Sequence, residues 1–276
     1  MPVLVVSFMY VSDKIVSSDI LISTREDLKK FEKACRIVAD TLSLVEKNIV
    51  EGIETIELDK IAEDFIRSNN AKPAFKGYQV DGKIFPNTLC ISINETVVHG
   101  IPGKRKLKSG DIVSIDCGVN YEGFFGDSAL TVSIGEIDEE KKKLMKITEE
   151  SLYIGIEQAF DKSKVYNISR VIQNHVESNG FTLTKELTGH GIGRKLHQEP
   201  SIPNFVPPLL HRNRYPNMKL VKGMGLAIEP MVHAGKQEVE YLNDGWTVVT
   251  VDRKPAAHYE HTVLVDEKPI IMTLRN

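Results

Sequence analysis

Two aspartates eleven residues apart, Asp116 and Asp127, fall in a segment with the pattern of a long β-hairpin, and this feature most constrains the fold. Gly110-Asp-Ile-Val-Ser-Ile-Asp116-Cys-Gly118 alternates like a half-buried strand, Asn120-Tyr-Glu-Gly123 supplies a turn, and Phe124 to Val132 returns. A loop centred between Tyr121 and Glu122 pairs 119 with 124 and 116 with 127. Directly opposed Cβ atoms stand about 5 Å apart, and like charges there are destabilising. Such a pair persists when a cation sits between the carboxylates or when they share a proton.

Three later segments can complete a site. Gly189-His190-Gly191-Ile192-Gly193 presents an imidazole in closely approachable backbone, Ala227-Ile228-Glu229-Pro230 ends a short apolar run with a carboxylate, and Tyr259-Glu260-His261-Thr262 opens a β-prone run with another. Two Asp, two Glu and one His make an oxygen-rich set with one borderline nitrogen. That set suits a pair of divalent ions such as Co, Mn, Fe or Zn bridged by shared carboxylates. A closed structural zinc site would need Cys and His instead.

The rest of the chain organises around these residues. Ser23-Thr-Arg-Glu26 reads as a capping box with Ser23 as N-cap, followed by Leu28, Phe31, Cys35, Val38, Leu42 and Val45 at helical spacing. Thr55 is expected to cap a second helix with Leu58, Ile61, Ala62, Phe65 and Ile66 on its apolar face. Strands follow over about 90–134, then helices over about 139–160 and 168–177, then strands again. A helix pair plus sheet, twice, implies an internal structural duplication. The Pro-, Asn- and Arg-rich stretch from Ser201 to Lys222 reads as a loop close enough to His197 to border a cleft.

The ordered run Asp116, Asp127, His190, Glu229, Glu260, with the words around it, resembles type I methionine aminopeptidase. Those words are Ile91-Ser-Ile-Asn-Glu95, Val98-His99-Gly100-Ile101-Pro102, Gly189-His-Gly-Ile-Gly193, Ile228-Glu-Pro-Met231, Asp244-Gly-Trp-Thr247 and Tyr259-Glu-His-Thr262. The resemblance covers about residue 20 to the C-terminus, so 20–276 is expected to be a single catalytic domain and 1–19 an N-terminal extension. It implies an α+β pita-bread fold, two pseudo-two-fold related halves around a central antiparallel sheet. It implies that His190, Glu229, Asp127 and Glu260 hold one metal, and Asp116, Asp127 and Glu260 the other. Glu229 would also carry the proton, His197 would meet the oxyanion at the scissile carbonyl, and His99 would bind substrate backbone near the leaving nitrogen.

The same resemblance maps a methionine pocket onto Phe75, Tyr78, Phe85, Cys90, Leu196 and Trp246. An unbranched thioether needs a deep apolar slot with aromatic edges. This chain departs from the common bacterial pattern at three of those positions: Phe75 stands where Cys is frequent, Phe85 where Tyr is, and Leu196 where Phe is. The loop from Tyr78 to Cys90 is also longer. His175, His211, His233, His258 and His261 carry no motif, and an ordinary structural role is expected for each. His261 and Cys117 should point away from the site their neighbours face.

Composition narrows the class further. A net charge of −3 over 276 residues gives no reason for nucleic acid as the main partner. Three cysteines without a CxxC pair fit a reducing compartment, so a cytoplasmic protein is expected. The apolar run Val3–Val11 lacks a basic flank and a cleavage site and is too short to span a membrane. It reads as an extra strand or extension, with Met9 as an alternative start. The expected partners are nascent polypeptides and N-terminal Met peptides, with a transient ribosome contact near the nascent chain and monomer as the default state. Two rival readings are an Xaa-Pro peptidase of the same fold, which usually carries a large further N-terminal domain, and a noncatalytic pita-bread binding module that binds no metal.

Overall fold

The computed structural model describes residues 9–11, 14–16 and 20–275. The two short strands Met9–Val11 and Lys14–Val16 pair antiparallel, and the remainder of the expected extension lies outside the described residues. The alternating runs noted in the sequence assemble into one antiparallel sheet. Across it run Gln198–Ile202, Gly189–Ile192, Gly225–Ile228, Glu260–Leu264, Phe124–Ser133, Ile112–Tyr121 and Lys72–Pro73. Leu89–Ile93 also pairs with Ile112–Tyr121, and Ile270–Ile271 with Glu260–Leu264.

Four helices back this sheet in two pairs: α1 (Arg25–Lys47) with α2 (Thr55–Ser68), and α3 (Glu139–Ile156) with α4 (Val165–Ser178). Each pair precedes the strands of its own half, so the expected duplication is present. Helix α1 buries Phe31, Cys35, Val38, Leu42 and Val45, the stripe anticipated from their spacing, whereas Leu28 stays half exposed. The halves meet where Glu260 pairs with Ala129 and His261 with Ser128. The helices cover one face of the sheet and leave the other to the site.

Several local expectations require correction. The hairpin turn is a two-residue one in which Glu122 and Gly123 both have positive φ (48° and 85°), as the type I′ turn of a right-twisted hairpin demands. Tyr121 therefore pairs with Phe124, Asp116 with Ala129 and Gly118 with Asp127, so the two aspartates are diagonal rather than directly opposed. Because the register moves by two residues, both still point to one face.

The α1 N-cap is Thr24, not Ser23: its hydroxyl accepts from the Asp27 N–H at 3.0 Å. Thr55 is the first residue of α2 rather than its cap. Its hydroxyl is spent on Gly103, accepting from the amide at 2.8 Å and donating to the carbonyl at 3.1 Å. Helix α3 ends at Ile156, short of the expected 160, and α4 starts at Val165 rather than 168. The 201–222 stretch is mostly irregular, but Ser201 and Ile202 finish a strand and Leu209–His211 form a 3₁₀ turn.

Candidate metal centre and active site

Asp116 and Asp127 project from adjacent strands of the first half, and His190 and Glu260 from strands of the second. Glu229 sits at the bend where Pro230 interrupts the chain between Gly225–Ile228 and Met231–His233. All five line one cavity of about 610 Å³. Asp127 is fixed through its backbone: its N–H donates to Thr262 Oγ1 at 3.0 Å, and the Thr262 hydroxyl donates back to the Asp127 carbonyl at 2.7 Å. The glycines beside His190 let strands close up. A Cβ at Gly189 would lie 2.5 Å from the Ala227 carbonyl oxygen and 3.4 Å from Glu229 Cγ.

The electrostatics of this group favour a cation. Burial pushes all four carboxyls up, and their neighbours' negative charge adds to it for Asp116, Glu229 and Glu260; Asp127 rises to about 7. One oxygen each of Asp116, Asp127 and Glu260 is buried without a hydrogen-bond partner. The His190 Nδ1–H donates to the Gly191 carbonyl at 3.0 Å, which leaves the Nε2 lone pair facing the carboxylates. Burial, then His197, holds that imidazole neutral, with its pKa down at about 3. Ligand atoms of Asp127, His190 and Glu260 all lie within 4.8 Å of one another. Buried carboxylates that cannot all ionise, arranged about a neutral ring nitrogen, fit divalent ions.

The other anticipated residues line the same cavity: His99, His197, Phe75, Tyr78, Phe85, Cys90, Leu196 and Trp246. His99 has a φ of 58°, a left-handed conformation that a β-carbon disfavours, and burial lowers its pKa to about 4. The His190 and His197 rings meet edge-on with centroids 4.3 Å apart. Phe75 lies over Gly118, where a Cβ would come within 2.6 Å of its ring, so the glycine makes room for the large side chain. Phe85 and Trp246 pack edge to face at 5.3 Å. Trp246 is presented by a turn that Asp244 ties together, its Oδ1 accepting from the Trp246 and Thr247 amides at 2.8 Å each. The longer segment after Tyr78 folds into a small hairpin, Gln79–Val80 against Lys83–Ile84, and Val80 joins the cavity wall.

His261 and Cys117 point away, as expected. His261 Nδ1 lies 2.9 Å from Thr273 Oγ1, and Cys117 packs in the core. His233 is held between Thr184 and the Lys236 carbonyl, and His175 beside Glu150. His258, for which an ordinary role was expected, places its Nε2 3.7 Å from Glu229 Oε2. The signal was its parity: two residues before Glu260, it shares that residue's side of the chain. Asp59, also overlooked, accepts from the Asn87 side chain and the Thr88 and Leu89 amides and so fastens the segment leading to Cys90.

The model of metallopeptidase family M24 matches residues 29–267. A methionine aminopeptidase of Clostridium perfringens is 48% identical over 256 residues, 92% of this chain and 99% of that protein. The crystal structure of a methionine aminopeptidase from Thermotoga maritima matches with a TM-score of 0.86 at 41% identity, covering 93% of this chain and all of that one. A prolidase from Pyrococcus furiosus matches with a TM-score of 0.73 at 22% identity, with 66% of its chain covered, and shares the pita-bread fold. Among the described residues no helix is long and apolar enough to cross a membrane.

Proposed function

The chain belongs to metallopeptidase family M24, alongside methionine aminopeptidases, and from that premise we propose that it removes the N-terminal methionine from nascent proteins and peptides with a small second residue. The observation that supports this most is the buried carboxylate cluster beside an aromatic-lined slot in one cavity. His190, Glu229, Asp127 and Glu260 would hold one divalent ion and Asp116, Asp127 and Glu260 a second, with Co, Mn, Fe and Zn all suited to the set. Such ions supply a Lewis acid for the scissile carbonyl and a water acidic enough to act as nucleophile at neutral pH.

The chain's own groups do the rest. The methionine side chain enters the slot of Phe75, Tyr78, Phe85, Cys90, Leu196 and Trp246, where aromatic edges favour sulfur. His99 bonds the substrate backbone near the scissile nitrogen, and its preset conformation keeps the ring on station. His197 donates to the carbonyl oxygen as negative charge develops there. The Glu229 carboxylate takes the proton of the attacking water and returns it to the departing amide nitrogen.

Its working compartment is the cytoplasm, in keeping with three free, buried cysteines. It acts as a monomer on emerging chains, in transient contact with the ribosome. Asp116→Ala and Glu260→Ala test the assignment. Each is expected to lose both methionine release and metal binding, and full activity in either variant would defeat it.

A further inference from the structure

Glu229 is bracketed by two imidazoles. Its Oε1 lies 3.5 Å from His190 Nε2, and its Oε2 lies 3.7 Å from His258 Nε2. The two rings differ in what they offer. With its proton on Nδ1, committed to the Gly191 carbonyl, His190 has no proton to give Glu229. His258 can give one, in the tautomer that carries its one proton on Nε2, an atom that is buried and has no hydrogen-bond partner. The ring belongs to a residue only 1% exposed, on a strand whose register sets His258 against Met231. Its backbone is clamped by Thr131, whose hydroxyl accepts from the His258 N–H at 3.0 Å and donates to its carbonyl at 2.7 Å. A buried donor this close to a carboxylate oxygen and otherwise unsatisfied is costly unless the two bond. The gap is about half an ångström beyond hydrogen-bond reach.

We propose that His258 is a positioning residue: its Nε2–H bonds Glu229 Oε2 and holds the other carboxylate oxygen toward His190 and the cation they would share. The inference rests on the reading of Glu229 as metal ligand and proton carrier. Partners of this kind behind a ligand fix its orientation, and their loss weakens metal affinity by about 10- to 100-fold. Packing alone would not depend on a donor at this position. Leucine can fill the space without one, whereas glutamine can supply an amide N–H of similar reach.

The test titrates Mn²⁺ into EDTA-stripped wild type, His258→Leu, His258→Ala and His258→Gln by calorimetry, with steady-state cleavage of Met-Ala-Ser alongside. The leucine and alanine variants should bind Mn²⁺ about 10- to 100-fold more weakly and lose kcat while KM holds. The glutamine variant should recover both toward wild type. Wild-type Mn²⁺ affinity in the leucine variant would overturn the proposal, as would glutamine behaving no better than leucine. Should the leucine variant not fold, as judged by its melt, the alanine and glutamine pair decides in the same way. A wild type that binds Mn²⁺ but releases no methionine would sink the functional reading, while the affinity series would still judge His258.

Discussion

The phenol oxygen of Tyr78 lies 2.7 Å from Nδ1 of His197, and the two rings meet at 65° with centroids 5.2 Å apart. This bond joins the wall of the apolar slot to the imidazole proposed to meet the scissile carbonyl. When the phenol donates to Nδ1, the ring proton sits on Nε2, where it can serve as an oxyanion donor. Tyr78→Phe should therefore lower kcat about tenfold, less than the roughly 10²- to 10³-fold loss typical of deleting an oxyanion donor outright, as in His197→Ala. Steady-state kinetics on Met-Ala-Ser checks it, and an unchanged kcat in the phenylalanine variant would remove Tyr78 from the account.

Metal binding should release protons. Asp127 rises from an ordinary value of 3.8 to about 7, and Asp116, Glu229 and Glu260 are also raised, so between those limits the metal-free cluster holds protons that free carboxylates would have lost. Ligation requires the deprotonated form, so apparent affinity climbs and proton release shrinks as pH rises through about 7. Calorimetry in buffers of different ionisation heat should give on the order of one proton or more per chain at slightly acid pH, and fewer at alkaline pH. Zero release under acid conditions would contradict the electrostatic picture.

Gly126 is a stability position rather than a chemical one. A Cβ there would stand 2.8 Å from the Cα and 2.9 Å from the backbone nitrogen of Cys35 in α1, and a helix backbone cannot swing aside. Gly126→Ala should cost about 1–3 kcal/mol through overpacking, which lowers Tm by about 2–4 °C per kcal/mol in a chain of this size. Gly103, where an added Cβ would meet nothing within 4 Å, provides the control substitution to alanine. Equal melting temperatures for the two variants would refute the close approach of helix and strand.

Trp246 and Phe85 form the aromatic edge of the slot. Trp246→Ala should lower kcat/KM for Met-Ala-Ser by about 10- to 100-fold, the range for losing part of an apolar pocket. It should also narrow the preference for methionine over norleucine, because sulfur–aromatic contact is worth about 0.3–1.5 kcal/mol. Competition between the two peptides reads this directly. A discrimination ratio unmoved by the substitution would place the thioether elsewhere.

Much of this architecture was legible in the chain. The apolar stripe of α1, the repeat of helix pair and strands, and the five candidate metal ligands can be read from spacing and local words, while the apolar pocket residues that line the same cavity came from the family resemblance. The hairpin register was not, because it depends on Glu122 accepting a left-handed conformation, which its side chain does not advertise. The aspartates nonetheless kept their common face, since a shift of two preserves parity. Thr24 displaced Ser23 as the cap because both threonine and serine can accept from an amide three residues on, and only backbone geometry decides between them. The nearness of His258 to Glu229 escaped notice because the two lie 29 residues apart in the chain and meet only once the second half has folded.

The most direct test of the account restores Co, Mn, Fe(II) or Zn separately to EDTA-stripped protein and follows cleavage of Met-Ala-Ser and Ala-Pro-Ser. Metal-dependent release of methionine from the first peptide, with the second left intact, is the predicted result. Cleavage of Ala-Pro-Ser in its place would move the protein to the proline peptidases, and no cleavage of either with metal bound would contradict the account.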